Sequence, residues 1–154
     1  MMTMLETLRR HLDAEAAHDA AVAASTYAED GYYENTGLGL RFEGRTMVEF
    51  QYAGSFETIK DMKATYQWEY VGDDLVVQHG RITGVAAEEM FGVPSRSGAL
   101  DFPFTAVITF RDGVMLGEHV FFDLELVCAQ AGLEVAAVLD ALEALRSSMS
   151  HAAV

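Results

Sequence analysis

Residues Arg111–Leu133 read RDGVMLGEHVFFDLELVCAQAGL. The dipeptide Asp112-Gly113 suits a tight hairpin turn, because such a turn asks both central residues for positive φ. Val114–Phe122 follows as an apolar strand, and Asp123 ends it. From Leu124 the apolar period turns helical, and Gly132 stops the helix. An acid at the junction of strand and helix is placed to look into a pocket. The same Asp123 is also placed to cap the helix through its free backbone N–H groups.

Upstream of the turn, Ala99–Phe110 is a long strand that pairs back on Val114–Phe122. A two-residue turn pairs Arg111 with Val114, and a regular register then follows. It sets Phe102 opposite Asp123, Phe104 opposite Phe121 and Ala106 opposite His119. Directly opposed residues share a face. That face is apolar apart from His119 and Asp123, so it is expected to be the interior. Asp101, Thr105, Thr109 and Glu118 then fall outside, as do Val107, Val120 and Phe122.

The rest of the chain supplies the elements around this hairpin. Leu5, Leu8, Leu12 and Ala16 predict an amphipathic first helix. Asp19 predicts the cap of a second, Ala-rich helix running to about Ala28 and closed by Gly31, with a short strand over Tyr32–Thr36. Thr46 and Glu49 have capping-box spacing for a third helix whose apolar face carries Val48, Tyr52, Phe56 and Ile59. Lys63–Val71 alternates, with Tyr66, Trp68 and Tyr70 expected on one face, and Leu75–Val85 is the next strand. Ala86–Ser97 is a long connection, and Val135, Val138, Leu139, Leu142 and Leu145 predict a final helix. Helices followed by long antiparallel strands make an α+β layout, in which a curled sheet closed by helices encloses an apolar pocket. One domain is expected over 1–154, with a core of about 1–133 and a C-terminal helix over 134–148.

Composition narrows the functions. Half of the 154 residues are hydrophobic (51%) and the net charge is −14, so the chain folds around a core and has no basic face for nucleic acid or anionic membrane. The single cysteine, Cys128, excludes an intrachain disulfide framework. No apolar run has membrane-spanning length, and the start MMTMLETLRR lacks the order of a secretory signal. A cytoplasmic protein acting on a neutral or apolar small molecule is the expectation.

Several side chains are candidates for chemistry. Tyr33 and Asn35 share a strand face and can hold a water or a substrate hydroxyl, or else pack and make a turn bond. Arg81 can orient a buried acid or sit at the surface. His79 and His119 titrate near neutrality, although a histidine on an apolar sheet is often only a packed residue. Phe102, Phe104, Phe121 and Trp68 are the expected apolar contacts for substrate. No metal-ligand spacing, phosphate loop, dinucleotide fingerprint or nucleophile elbow is present, so no metal and no cofactor are expected.

Tyr33-Glu34-Asn35 with Gly44-Arg45, Phe91-Gly92-Val93-Pro94 to Gly98, and Arg111-Asp112-Gly113 through Asp123 to Gly132 carry a resemblance. The chain resembles the nuclear-transport-factor-like α+β cone superfamily, in particular its SnoaL-like polyketide cyclase and limonene epoxide hydrolase branches. The resemblance implies a cone-shaped, mainly antiparallel barrel closed by three N-terminal helices, and a homodimer. It makes Asp123 the general acid/base, with Tyr33, Asn35 and Arg81 positioning water or substrate. The second acid of the hydrolase branch would fall at Thr83. The partner histidine of the cyclase branch would fall near Thr83–Val85, where there is none, so His79 or His119 would substitute. The implied activity is a cofactor-independent cyclase, isomerase or epoxide-opening reaction on an apolar oxygenated molecule. The alternatives are a non-catalytic binding module and an epoxide hydrolase with an altered second acid.

Overall fold

The Asp112-Gly113 turn closes as read: its residues take φ of 54° and 77°, and Arg111 pairs with Val114 in the computed structural model, which describes residues 2–152. The elements are, in order, α1 (Met4–Ala16), α2 (Ala20–Ser25), β1 (Tyr27–Asn35), β2 (Leu40–Glu43), α3 (Arg45–Thr58) and β3 (Ile59–Val71). They continue as β4 (Leu75–Ala86), β5 (Glu89–Met90), β6 (Val93–Pro94), β7 (Ala99–Arg111), β8 (Val114–Phe122), α4 (Leu124–Ala131) and α5 (Val135–Ala152). Six strands form one sheet in the order β2-β1-β8-β7-β4-β3. Every neighbouring pair is antiparallel except β1 with β8.

The α+β layout and the mainly antiparallel curved sheet stand as read, but the barrel does not. The sheet stays open, with β2 and β3 as its two edges. The second helix is shorter than expected, because Tyr27 and Ala28 already belong to β1. Gly44 precedes α3 with no side-chain cap, so Thr46 and Glu49 are not a capping box. The long connection after β4 folds into the small β5–β6 hairpin. No helix among the described residues is long and apolar enough to cross a membrane.

Two bulges decide which side chains face inward. In β8, Phe110 pairs with Met115 while Thr109 pairs with Gly117, so Leu116 is an extra residue in the strand. Beyond it the register is shifted by one, and every later side chain changes face. Phe104 pairs with Phe122 rather than Phe121, and Ala106 with Val120 rather than His119. In β3, Tyr66 pairs with Gly80 and Trp68 with His79, leaving Gln67 extra. Tyr66 therefore faces inward and stands edge-on to Phe104, whereas Trp68 lies outside and stacks on His79. Both bulges lean on a glycine. A Cβ on Gly117 would sit 2.3 Å from Cζ of Tyr32, and one on Gly80 would sit 1.9 Å from the carbonyl oxygen of Thr65.

The core lies between the concave face and the helices. Tyr27, Val76, Ile108 and Met115 are buried at one end, and Val138 and Leu142 of α5 at the other. Between them lies a cavity of about 1080 Å³, walled by α1, α3, α5 and all six strands of the sheet.

Candidate active site

Glu118 is the carboxylate that the β8 bulge turns into this cavity. It is only 5% exposed. A carboxyl group so placed must be partnered, and two phenols do it. The hydroxyls of Tyr27 and Tyr52 each donate to Oε2 at 2.6 Å. Tyr27 opens β1, and Tyr52 comes from the apolar face of α3. The other carboxyl oxygen, Oε1, takes no hydrogen bond from the described residues and is not sealed off, so it faces the cavity.

His11 lies behind the phenols, fully buried. It sits on the inner side of α1 with Thr7, Leu8 and Ala14. Its Nε2 is 3.0 Å from the Tyr52 hydroxyl and 3.7 Å from both Glu118 and Glu15. Its Nδ1 is 2.9 Å from Thr26 Oγ1. Glu15, one turn further along α1, also lines the cavity.

The electrostatics follow from burial and from these neighbours. Burial, then the charge of Glu15, pushes Glu118 above the usual carboxylate range, against the pull of His11 and the two phenols. Burial favours the neutral form of His11, but Glu15 and Glu118 outweigh it and raise the imidazole above its usual value. Burial first, and Glu118 next, push Tyr27, Tyr33 and Tyr52 well above the ordinary phenol range. All three phenols are therefore neutral donors at physiological pH.

Both raised values act on stability with one sign. The folded protein holds these protons more tightly than the unfolded chain, whose reference values are 4.5 for Glu118 and 6.5 for His11. The stability they contribute is complete below those values and is lost as pH rises through the raised folded ones. The unfolding midpoint should fall as pH rises above 4.5 and on past 6.5, and the fall should flatten in a Glu118→Gln, His11→Gln double variant. Thermal unfolding of both proteins across that range reads it; parallel curves would refute it.

The sequence-derived candidates divide between the two faces. Tyr33 and Asn35 are buried and line the cavity, on the same side of β1, and Asn35 Oδ1 accepts the backbone N–H of Leu38 at 3.1 Å. Phe102 and Phe104 line the cavity. His119 points outward, where its Nε2 meets the Tyr32 hydroxyl at 2.9 Å, and Glu34 lies 3.8 Å from Nδ1. His79 bonds Thr105 at 2.9 Å on the outer face. Arg81 pairs with Asp101, also outside, through Nε at 2.7 Å. Phe121 and Trp68 are exposed on that face and do not line the cavity, whereas Val120 and Phe122, expected outside, do. These corrections have one cause, the bulges, except for His79 and Arg81, which share the outward face of β4.

Asp123 is the main correction. It does not end an interior wall. It is exposed, and its Oδ1 accepts the backbone N–H of Leu126 at 3.1 Å as the N-cap of α4. Asp123→Ala is expected to cost about 1 kcal/mol of stability, the usual value of such a cap, and to leave the cavity chemistry unaltered. Urea unfolding measures the first part; an effect near zero would remove the capping role.

His11, Glu15 and Glu118 are also the one group of histidine and carboxylate donors among the described residues close enough to surround a metal, with donor atoms within 4.8 Å. His11 Nε2 and Glu118 Oε2 are already engaged. An ion would have to displace the Tyr52 hydroxyl from Nε2 and two phenols from Oε2, charge-assisted bonds worth roughly 1.5–3 kcal/mol each. The group fits a proton network better than a metal centre.

Sequence reasoning passed over Glu118, His11, Tyr27 and Glu15. The available signal was Gly117, since a lone glycine inside a strand marks a bulge.

Comparison with known proteins agrees with the architecture. The sequence model of SnoaL-like domains matches residues 8–116. A search of curated proteins gave no match. Among solved structures, one named as a SnoaL-like polyketide cyclase, from Jannaschia sp. CCS1, superposes with a TM-score of 0.76 at 22% identity, covering 85% of this chain and 92% of its own. A protein of ketosteroid isomerase-like fold from Catenulispora acidiphila, solved with trimethylamine, gives 0.72 at 18% identity, covering 84% and 94%. AclR of Streptomyces galilaeus, named as a hydroxylase, gives 0.70 at 13% identity, covering 84% and 95%. At these identities the structural likeness is one of fold.

Proposed function

The chain belongs to the SnoaL-like domain family, and from that premise we propose that it is a cofactor-independent acid–base enzyme whose proton-transfer group is Glu118. The substrate class is an apolar, oxygenated small molecule, and the reaction a cyclisation or isomerisation that moves a proton at a carbon beside a carbonyl.

One observation supports this reading above the others: a carboxyl group raised by burial, held by two phenols, with its second oxygen on an apolar cavity. A general base needs reach to the substrate and gains from a raised proton affinity, and burial raises that of Glu118. The cavity, at about 1080 Å³, stands at the upper end of the roughly 300–1,000 Å³ of small-molecule sites, so a polycyclic skeleton fits. Phe42, Tyr66, Phe102 and Phe104 offer aromatic faces to such a skeleton. Gln51 and Asn35 supply polar atoms for its oxygens.

The roles then follow from position. Glu118 Oε1 takes the proton from substrate carbon. Tyr27 and Tyr52 keep the carboxylate oriented and stabilise its charge. Tyr33, a neutral phenol on the same wall, donates to the developing enolate oxygen.

The reading is testable without knowing the natural substrate. An aromatic ketone such as 1-tetralone, incubated with the protein in deuterium oxide, should gain deuterium beside its carbonyl faster than in buffer, as read by mass spectrometry. Exchange no faster than in buffer, for this ketone and for a tricyclic analogue, would favour a binding module instead.

A further inference from the structure

With Glu118 ionised, the hydrogen bonds around His11 can be counted proton by proton, and the count has one consistent solution. Each phenol owns one hydroxyl proton. Tyr27 and Tyr52 both spend theirs on Glu118 Oε2, at 2.6 Å each. The Tyr52 oxygen, 3.0 Å from His11 Nε2, must then accept from it. On the other side of the ring, the Thr26 hydroxyl donates to the Ala23 carbonyl at 2.6 Å, so its oxygen accepts from Nδ1 at 2.9 Å. Both ring nitrogens are therefore donors in this state, and the ring is an imidazolium.

From this geometry we infer that His11, Tyr52 and Glu118 form an internal proton relay, in which Tyr52 passes a proton between the histidine ring and the carboxylate, with Glu15 as the standing counter-charge of the ring. The inference rests on Glu118 being the proton-transfer group. The transfer takes two hops. The Nε2–H bond of His11 breaks as its proton joins the Tyr52 oxygen. The Tyr52 O–H bond breaks as its proton joins Oε2 of Glu118. Imidazolium and carboxylate become neutral imidazole and carboxylic acid, with no net gain or loss of atoms or electrons. The proton then rests on Oε2, and a half-turn of the carboxyl group carries it to the cavity side, so that Glu118 can be presented to the substrate as base or as acid without exchange with bulk water.

The surroundings suit a relay. The ring faces Glu15 on its own helix, Tyr27 from β1, Tyr52 from α3 and Glu118 from β8. Glu118 is also within electrostatic reach of Tyr33 and of Tyr66 from β3. Tyr27 touches the carboxylate but makes no hydrogen bond to the histidine, so the path runs through Tyr52. Glu15 lines the cavity and faces the ring at 3.7 Å, so the ring stays balanced when Glu118 is neutralised.

The test is an NMR titration of the full-length protein without substrate, following the ring ¹⁵N resonances of His11 and the side-chain carboxyl ¹³C of Glu118. In the wild type both nuclei should change at the same inflection points, because protons leave the pair and not either group alone. Tyr52→Phe keeps the ring and removes the bridging oxygen, and should separate the inflections by about one pH unit or more. Tyr27→Phe removes the other phenol and should leave the joint titration in place. Independent titration in the wild type, or identical behaviour of the two variants, would overturn the relay. Should Tyr52→Phe fail to fold, the wild-type ring alone decides: both nitrogens protonated near neutral pH supports the relay, and a neutral ring overturns it. Loss of the relay would leave the deuterium-exchange result untouched, and a failed exchange assay would leave the titration standing, so the two ideas fail separately.

Discussion

Glu118→Gln is expected to slow deuterium exchange into 1-tetralone by about 10²–10⁴-fold, the usual worth of a positioned acid–base group. The substitution is close to isosteric. The amide oxygen can still accept from Tyr27 and Tyr52, so the packing around a side chain that is 5% exposed is preserved. What disappears is the ability to take a proton at the oxygen that faces the cavity. Circular dichroism should match the wild type, which separates chemical loss from unfolding. Asp123→Asn, made in parallel, should leave exchange within about two-fold of wild type, since that side chain caps α4 outside the cavity. Equal exchange in Glu118→Gln and wild type would remove Glu118 from the chemistry. A loss confined to Asp123→Asn would restore the strand-end acid as the catalyst.

Gly80→Ala is expected to destabilise the protein by about 3 kcal/mol or more, at the upper end of what overpacking costs. The added methyl would stand 1.9 Å from the carbonyl oxygen of Thr65, and the obstacle is backbone, which no rotamer change relieves. The strand β3 crosses over Gly80 at its own bulge, so the cheapest relief is for β3 to slide and lose that bulge. Such a slide would move Trp68, the single tryptophan of the chain, away from the His79 ring it stacks on at 5.3 Å. Urea unfolding gives the stability, and tryptophan emission gives the register. A variant within about 1 kcal/mol of wild type, with unchanged emission, would show that the crossing is looser than the geometry states.

The elements that could be read from sequence are those fixed by local chemistry. Asp112-Gly113 needs positive φ at both residues and adopts it. Gly132 takes φ 68° to end α4, and Asp123 caps the same helix. The even-numbered residues of β7, among them Phe102 and Phe104, face inward as expected, because that strand has no bulge facing β4. The site was harder to read because its identity depends on two extra residues, Leu116 and Gln67, whose presence shows only in three-dimensional pairing. His11 was hidden differently. Leu5 looked like part of the buried stripe of α1 yet is 47% exposed, and the true inner face is rotated to include Thr7 and His11. Leucine on a helix is weak evidence of the core, since apolar residues are common on surfaces. A polar pair on the inner side becomes visible only once its partners, here on β8 and α3, are known.

The extra residue in β8 also means that the chemistry of this cavity is a matter of parity. Glu118 and His119 are neighbours in the chain and belong to opposite sides of the sheet. Whether one residue of β8 is left out of the ladder selects which of them is enclosed and which meets solvent. The same chain with Leu116 taken into a regular ladder, and no bulge, would enclose an imidazole and expose a carboxylate. The inventory of the cavity is thus encoded in the pairing of a strand as well as in its letters. Gaining or losing a single bulge would exchange a carboxylic acid for a histidine in this cavity, without substituting either one.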